Sequence, residues 1–175
     1  MEIYLIRHTS VNVPAGVCYG QSDVPLKDSF EQEAAAVAEQ LKGITFNEVF
    51  VSPLNRCVKL ADYCGYPDAY RDPRIMEMNF GEWEMKKWDD IRDPHLQEWF
   101  DDYLNVQTTG GESFVQQLRR VSRFLDELKA LNCSRIAIFT HGGVLVSAQI
   151  YAGTIKKEEA FSIIPPYGSI VKLEI

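Results

Sequence analysis

The sequence is poor in the residues that cross-link small proteins or bind metals. It has four cysteines and three histidines in 175 residues, with no CxxC pair and no cysteine at zinc-ligand spacing from a histidine. Neither a disulfide framework nor a zinc ribbon is indicated, and we expect reduced thiols, as in cytosolic proteins. A chain of this length buries roughly 70% of its unfolded surface, so it needs no such support to fold.

Long apolar runs and surplus positive charge are also absent. The first apolar run, residues 3–6, stops at Arg7 and is too short for a signal peptide, and no other stretch approaches membrane-spanning length. Acidic residues outnumber basic ones by 25 to 18, a formal net charge of −7. This balance argues against a broad basic surface for nucleic acid or an anionic membrane. We expect a cytoplasmic protein with neither partner, forming one domain over residues 1–175.

Apolar patterns along the chain predict alternating strands and helices. Short segments at 3–6, 48–51 and 136–139, which are continuously apolar apart from Glu48, are typical of strands buried on both faces. Helical spacing occurs between them, most clearly from Phe114 to Leu128, and residues 169–175 alternate as a last strand. The pattern predicts an α/β fold with a mainly parallel central sheet flanked by helices.

Two local features refine this prediction. Ser52-Pro53 follows the second strand and predicts a helix start, with Ser52 as the N-cap and Pro53 at the first helical position. Arg56 then falls in the first turn of that helix. We also expect a short strand just before Glu77.

The stretch from residue 82 to 102 differs in composition from the rest. It carries eight acidic and three basic residues, a net charge of −5, and all three tryptophans of the chain: Trp83, Trp88 and Trp99. We interpret it as part of a helical lid insertion over about residues 82–110. Its tryptophans either pack the lid onto the body, which we favour, or stack against a flat base. His95 is interpreted as a surface residue.

Basic side chains follow three of the predicted strands. Arg7 and His8 end the first strand, Arg56 follows the second, and His141 follows the strand at 136–139. Ligands of open α/β sheets bind where the strands have their carboxyl ends, so we expect these four side chains to share one pocket. Two guanidinium groups and two imidazoles suit a phosphate dianion.

A phosphatase that needs no metal requires a nucleophile and an acid. A neutral imidazole attacks phosphorus directly, and neighbouring arginines disfavour its protonation. A carboxyl group in a dry site can protonate the leaving alkoxide, and Glu77, set among apolar neighbours, is our candidate. We expect neither a metal ion nor a cofactor.

Together these residues resemble the histidine phosphatase superfamily, also called the phosphoglycerate-mutase-like family. The matching segments occur in family order over nearly the whole chain: Leu5-Ile6-Arg7-His8-Thr9, Val51–Cys57, Glu77–Glu84, Gly111-Glu112-Ser113 and Thr140-His141-Gly142-Gly143. The resemblance implies a three-layer sandwich and a phosphohistidine mechanism. It assigns His8 as nucleophile, Glu77 as proton donor and acceptor, and Arg7, Arg56 and His141 as the phosphate pocket.

Within the superfamily, the segment from Cys18 to Leu26 is similar to the alpha-ribazole phosphatase branch. The similarity implies a small phosphate monoester as substrate, namely alpha-ribazole 5′-phosphate or adenosylcobalamin 5′-phosphate in assembly of the cobalamin nucleotide loop. Tyr19, Gln21, Ser22 and Gly142 are the candidate substrate-binding residues, although Gln21 and Ser22 beside Gly20 also suit a turn.

Other functions fit the same residues less well. A broad-specificity metabolite phosphatase keeps the chemistry and changes the substrate. A phosphoglycerate-mutase-type phosphotransferase must retain an anionic intermediate, against which the short segment between Glu77 and the third helix argues. A non-catalytic phosphate-binding module is disfavoured because the whole candidate catalytic set is present, namely Arg7, His8, Arg56, Glu77 and His141. Two strand-end histidines are too few ligands for a metal-dependent hydrolase.

Overall fold

A computed structural model describes all 175 residues as five strands and five α-helices. They are, in chain order, β1 Glu2–Arg7, α1 Phe30–Leu41, β2 Glu48–Val51, α2 Asn55–Tyr63, β3 Tyr70–Arg71, α3 Leu96–Asp101, α4 Phe114–Lys129, β4 Arg135–Thr140, α5 Gly142–Tyr151 and β5 Ile170–Glu174. Short 3₁₀ turns lie between several of them. None of these helices combines the length and the apolar composition needed to cross a membrane.

The strands form one mostly parallel sheet in the order β3-β2-β4-β1-β5, in which only β5 is antiparallel. Side chains of successive strand residues point to opposite faces, and both faces are covered. Ile3 and Leu5 of β1 pack in a cluster with α4 and α5, whereas Ile6 packs in a second cluster with α1 and α2. The predicted α/β sandwich is confirmed, with one pair of helices on each face.

The register of the sheet brings three strand ends together. Arg7 at the end of β1 pairs with Thr140 at the end of β4, and Val51 at the end of β2 pairs with Phe139 of β4. The residues that follow these strands therefore leave the sheet at the same edge. This arrangement is the reason why side chains far apart in sequence form one site.

Two local predictions need correction. Helix α2 begins at Asn55, with Leu54 and not Ser52 as the N-cap. The Ser52 hydroxyl accepts a long hydrogen bond of 3.4 Å from the Leu54 backbone N–H and lies closer, at 2.7 Å, to Nε2 of His141. A short strand, β3, does precede Glu77, but it ends at Arg71, and a 3₁₀ turn, Pro73–Ile75, lies between the strand and Glu77. The Asp72 side chain caps this turn by accepting a hydrogen bond from the Arg74 backbone N–H.

Residues 82–102 contain short helical pieces. They fold around a small apolar cluster in which Trp83 and Trp99 are almost fully buried. The indole N–H of Trp83 donates to Asp93. The cluster also contains Cys18 and Met78, so Trp83 and Trp99 pack this segment onto the rest of the protein, as favoured above. His95 is exposed on its surface, as predicted.

Candidate active site

His8 and His141 lie side by side where β1 and β4 end. Their ring centroids are 5.2 Å apart with the planes at 63°, and both side chains are buried. Because β1 and β4 are adjacent and parallel, the residues after them emerge at neighbouring points. The structure therefore brings the two predicted histidines into one pocket.

The surroundings of His8 select one neutral form of its ring. Nδ1 lies 2.7 Å from the carbonyl oxygen of Thr9, which only accepts hydrogen bonds, so Nδ1 carries the proton. Burial, followed by the charges of Arg56 and Arg7, lowers the pKa of His8 to about 3. Near neutral pH, His8 is thus uncharged and has an unshared electron pair on Nε2.

His141 is fully buried and is also held in its neutral form. Burial is the main cause that lowers its pKa well below the usual range, followed by the charge of Arg56. Nε2 shares a hydrogen bond with Ser52 Oγ at 2.7 Å and lies 3.4 Å from Sγ of Cys57. Sequence patterns did not reveal the role of Ser52, because a hydroxyl before a proline reads as a helix cap.

The two arginines are cations without a counter-charge: Arg56 is fully buried and Arg7 is partly buried. Neither Arg7 nor Arg56 forms a salt bridge. Arg56 donates to the carbonyl oxygens of Ser22 at 2.9 Å and Gly20 at 2.5 Å, Arg7 donates to that of Pro165, and each Nε lacks a partner. Buried charge is costly unless an opposite charge compensates it. The arrangement therefore favours a bound anion.

Tyr167 completes this group, although the sequence analysis missed it. Its ring centroid lies 4.1 Å from Cζ of Arg7 and 5.4 Å from the centroid of His8, and its hydroxyl is 2.5 Å from that of Tyr19. The run from Pro165 to Gly168 signals only a turn. Tyr19, a predicted substrate-binding residue, is thereby placed beside the arginines.

Glu77 is anchored by three N–H donors. Oε1 accepts from the Met78 backbone at 3.0 Å and from Nε2 of Gln117 at 3.3 Å, and Oε2 accepts from the Gly143 backbone at 3.2 Å. The guanidinium of Arg120 supports the same segment by donating to the carbonyl oxygens of Arg74, Met76 and Glu77. Gln117 and Arg120 lie on α4 and carried no functional signal in the sequence.

The first two residues of α5 are glycines because neighbours leave no room for a side chain. A Cβ at position 142 would lie 2.7 Å from Ile164 and 3.1 Å from Cζ of Arg7, and one at 143 would lie 2.4 Å from Oε1 of Glu77. Consecutive residues of one helix thus touch Arg7 and Glu77. This contact joins the carboxylate to the basic cluster.

Gln21 and Ser22 belong to a loop that Glu84 holds in place. Oε1 of Glu84 accepts from the Gln21 backbone at 2.9 Å, and Oε2 accepts from both the backbone and the hydroxyl of Ser22. Gln21 Nε2 donates to the carbonyl oxygen of Glu77 at 3.0 Å. The loop presents its backbone carbonyls to Arg56, and a direct contact of these two side chains with substrate stays a prediction.

An apolar cavity of about 210 Å³ opens beside Glu77. Aromatic rings line much of it, including those of Phe80, Trp88 and Phe114, and Tyr19 and Gly143 border it as well. Trp88 is the only one of the three tryptophans in its wall. The site therefore consists of a polar, positively charged part around His8 and an apolar part next to the carboxylate.

Comparison with known proteins identifies this combination of fold and site. The family model of the histidine phosphatase superfamily (branch 1) matches residues 3–175. The chain belongs to this superfamily, has the phosphoglycerate-mutase-like fold, and is an enzyme of the phosphatase class, a phosphoric monoester hydrolase.

Three individual proteins show how similar this chain is to known phosphatases and mutases. The adenosylcobalamin/alpha-ribazole phosphatase of Salmonella typhimurium is 32% identical over 154 residues, which cover 83% of this chain and 76% of that protein. The crystal structure of the alpha-ribazole phosphatase from Shigella flexneri superimposes with a TM-score of 0.91 at 26% identity, covering 100% of this chain and 91% of that one. A probable phosphoglycerate mutase GpmB of Erwinia tasmaniensis is 32% identical over 161 residues, 84% of this chain and 74% of that protein.

Proposed function

We propose that the protein is a phosphomonoesterase that needs no metal and forms a phosphohistidine on His8. The observation that carries the proposal is the buried, neutral imidazole of His8 beside Arg56, which is fully buried, and Arg7, which is partly buried; neither arginine has a counter-charge, and the buried Nε of each lacks a partner. A phosphate dianion supplies the missing negative charge, and guanidinium groups match the geometry of its oxygens. His141 completes the phosphate pocket.

The first half of the reaction forms the covalent intermediate. Nε2 of His8 attacks phosphorus with its electron pair while the bond from phosphorus to the ester oxygen breaks. Arg7 and Arg56 stabilise the charge on the phosphoryl oxygens during transfer. The protonated carboxyl of Glu77 gives its proton to the leaving oxygen, and the free alcohol departs.

The second half returns the enzyme to its starting state. Water attacks the phosphoryl group, the Glu77 carboxylate takes a proton from that water, and the bond between phosphorus and Nε2 breaks. His8 recovers its electron pair, and inorganic phosphate leaves. Three N–H donors hold the oxygens of the Glu77 carboxylate, so that these oxygens keep the same position in both steps.

For the substrate, we propose alpha-ribazole 5′-phosphate or adenosylcobalamin 5′-phosphate, in assembly of the cobalamin nucleotide loop. The names of the relatives from Salmonella typhimurium and Shigella flexneri support this choice. The aromatic walls of the cavity beside Glu77 suit a leaving alcohol that carries a flat, weakly polar base. Trp88 is the tryptophan positioned to contact such a base.

Two alternatives keep the same chemistry. The similarity to a probable phosphoglycerate mutase makes phosphoryl transfer back to a sugar acid one of them, and a broad-specificity metabolite phosphatase is the other. Specificity constants for alpha-ribazole 5′-phosphate, sugar phosphates, nucleoside monophosphates and 3-phosphoglycerate separate them. Similar specificity constants for all of these substrates would contradict the cobalamin assignment. Formation of isomerised phosphoglycerate would favour the mutase.

The mechanism itself is tested by trapping the intermediate. A brief reaction followed by a denaturing quench should leave an acid-labile phosphoryl group on His8, and His8→Ala should abolish both the label and turnover. Exposed His95→Ala serves as the matched control and should keep both. Wild-type turnover by His8→Ala in the presence of a chelator contradicts the mechanism.

A further inference from the structure

Two tyrosines from distant parts of the chain meet beside the phosphate site. Tyr19 follows β1, Tyr167 precedes β5, and their hydroxyl oxygens are 2.5 Å apart. Cζ of Arg7 lies 4.1 Å from the centroid of Tyr167, and Cζ of Arg56 lies 5.6 Å from that of Tyr19. Each arginine of the phosphate site thus faces one ring of a hydrogen-bonded tyrosine pair.

An aromatic ring and a carboxylate affect the charge of a neighbouring arginine differently. A carboxylate fixes the guanidinium but also neutralises it, whereas a ring attracts the cation through its quadrupole and carries no net charge. The hydrogen bond from Arg7 to the carbonyl of Pro165 leaves its Nε without a partner. The ring of Tyr167 therefore restricts Arg7 while leaving its charge for an anion.

Tyr167 is itself held at both ends. The backbone next to it is tied to β1, because Gly168 N–H donates to the carbonyl of His8 at 3.1 Å and Arg7 N–H donates to that of Ser169 at 2.9 Å. The hydroxyl at the far end of its side chain is held by Tyr19. Between these anchors, the ring also contacts His8, with centroids 5.4 Å apart.

We propose that Tyr167 is a positioning residue of the phosphate site, whose ring holds Arg7 beside His8 and whose hydroxyl is secured by Tyr19. This inference rests on the proposed function, since it concerns how the same site binds phosphate. Tyr167 acts through Arg7 and takes no part in bond making or breaking. Removing the ring should therefore weaken phosphate binding, whereas removing only the hydroxyl should matter much less.

The test measures the affinity for inorganic phosphate by calorimetry, together with KM and kcat for one phosphate ester. Loss of a cation–π contact to a ring that is 38% exposed predicts about fivefold weaker phosphate binding and a similar rise in KM for Tyr167→Leu. Tyr167→Phe keeps the ring and should stay within about twofold of the wild type, since it loses only a partly exposed hydroxyl bond. Tyr70→Leu, at a tyrosine 61% exposed on the sheet edge, is the control and should change nothing.

A double variant checks that the effect passes through Arg7. If it does, adding Tyr167→Leu to the Arg7→Met variant should weaken phosphate binding by less than a further twofold. An equal loss in both backgrounds, or unchanged affinity in Tyr167→Leu, overturns the proposal while leaving the phosphatase intact. A wild type that neither binds phosphate nor hydrolyses esters contradicts the proposed function instead. If Tyr167→Leu lacks a cooperative thermal transition, Tyr167→Met serves as the ring-free variant under the same criteria.

Discussion

Replacing Gly143 by alanine should separate activity from stability. The new Cβ would lie 2.4 Å from Oε1 of Glu77 and 2.8 Å from Nε2 of Gln117. Both atoms are at the ends of flexible side chains, so they can move away without disturbing the backbone. A carbon–oxygen separation of 3.0–3.4 Å requires a shift of about 0.6–1.0 Å of the Glu77 oxygen, and misplacement by about 1 Å costs roughly 100-fold in rate.

The fold should tolerate this change. Gly143 lies inside the first turn of α5 and does not have a positive φ, and alanine is favoured over glycine in helices by about 1 kcal/mol. We therefore expect a midpoint of thermal unfolding equal to or above that of the wild type. Gln149→Ala, which places an alanine further along the same helix, should change neither activity nor stability by much.

The assay compares two kinds of ester. An alkyl phosphate has a poor leaving group that needs a proton from Glu77, whereas p-nitrophenyl phosphate has a good one that does not. For Gly143→Ala we expect kcat/KM to fall roughly 100-fold for the alkyl ester and clearly less for p-nitrophenyl phosphate. Equal losses for the two esters, or a large drop in thermal stability, would refute the reasoning.

Three further predictions concern the same site. Because the pKa of His8 is about 3 in the folded protein against 6.5 ordinarily, the unfolded chain binds the extra proton between these values. The free energy of unfolding, measured by urea titration, should therefore fall as the pH drops from 6.5 towards 3, and it should fall more steeply in the wild type than in His8→Gln. An equal pH dependence of the two unfolding free energies would contradict this. Ser52→Ala removes the 2.7 Å hydrogen bond to His141. It should lower kcat/KM about tenfold, because the buried Nε2 of His141 loses its hydroxyl partner. Unchanged kinetics would show that His141 needs no such support. Arg120→Met leaves the backbone carbonyls of Arg74 and Met76 without this donor and removes one of the two donors to the carbonyl of Glu77. It should lower both thermal stability and kcat for alkyl esters. Arg120→Lys should not restore them, because an ammonium cannot reproduce the planar fork; full rescue by lysine would count against positioning of Glu77.

Part of the site could be predicted because it depends on local rules. Apolar runs mark strands buried on both faces, and in a parallel sheet the residues after such strands must emerge at one edge. Arg7, His8 and His141 were found in this way. Helix α4 was equally predictable, since its apolar spacing is regular and Ser113 with Gln116 forms the capping box at its start.

Other parts depend on contacts that no local pattern encodes. Tyr167 reaches Tyr19 across 148 positions of the chain, and Ser52 reaches His141 across 89. Glu84 secures the loop at Ser22 across 62 positions. Which way such side chains face depends on how the loops pack over the sheet edge, and periodicity says nothing about that packing.

The class of fold and the side chains at the strand ends follow from short-range hydrophobic patterning along the chain, and the family resemblance covers the same segments, including Glu77. How these residues are held depends on tertiary contacts: the ring of Tyr167 on Arg7, the hydroxyl of Ser52 on His141, and Gly143, which has no side chain, against Glu77. Hydrogen bonds and close contacts of this kind require atoms placed to within a fraction of an ångström, and folding of the whole chain sets that precision.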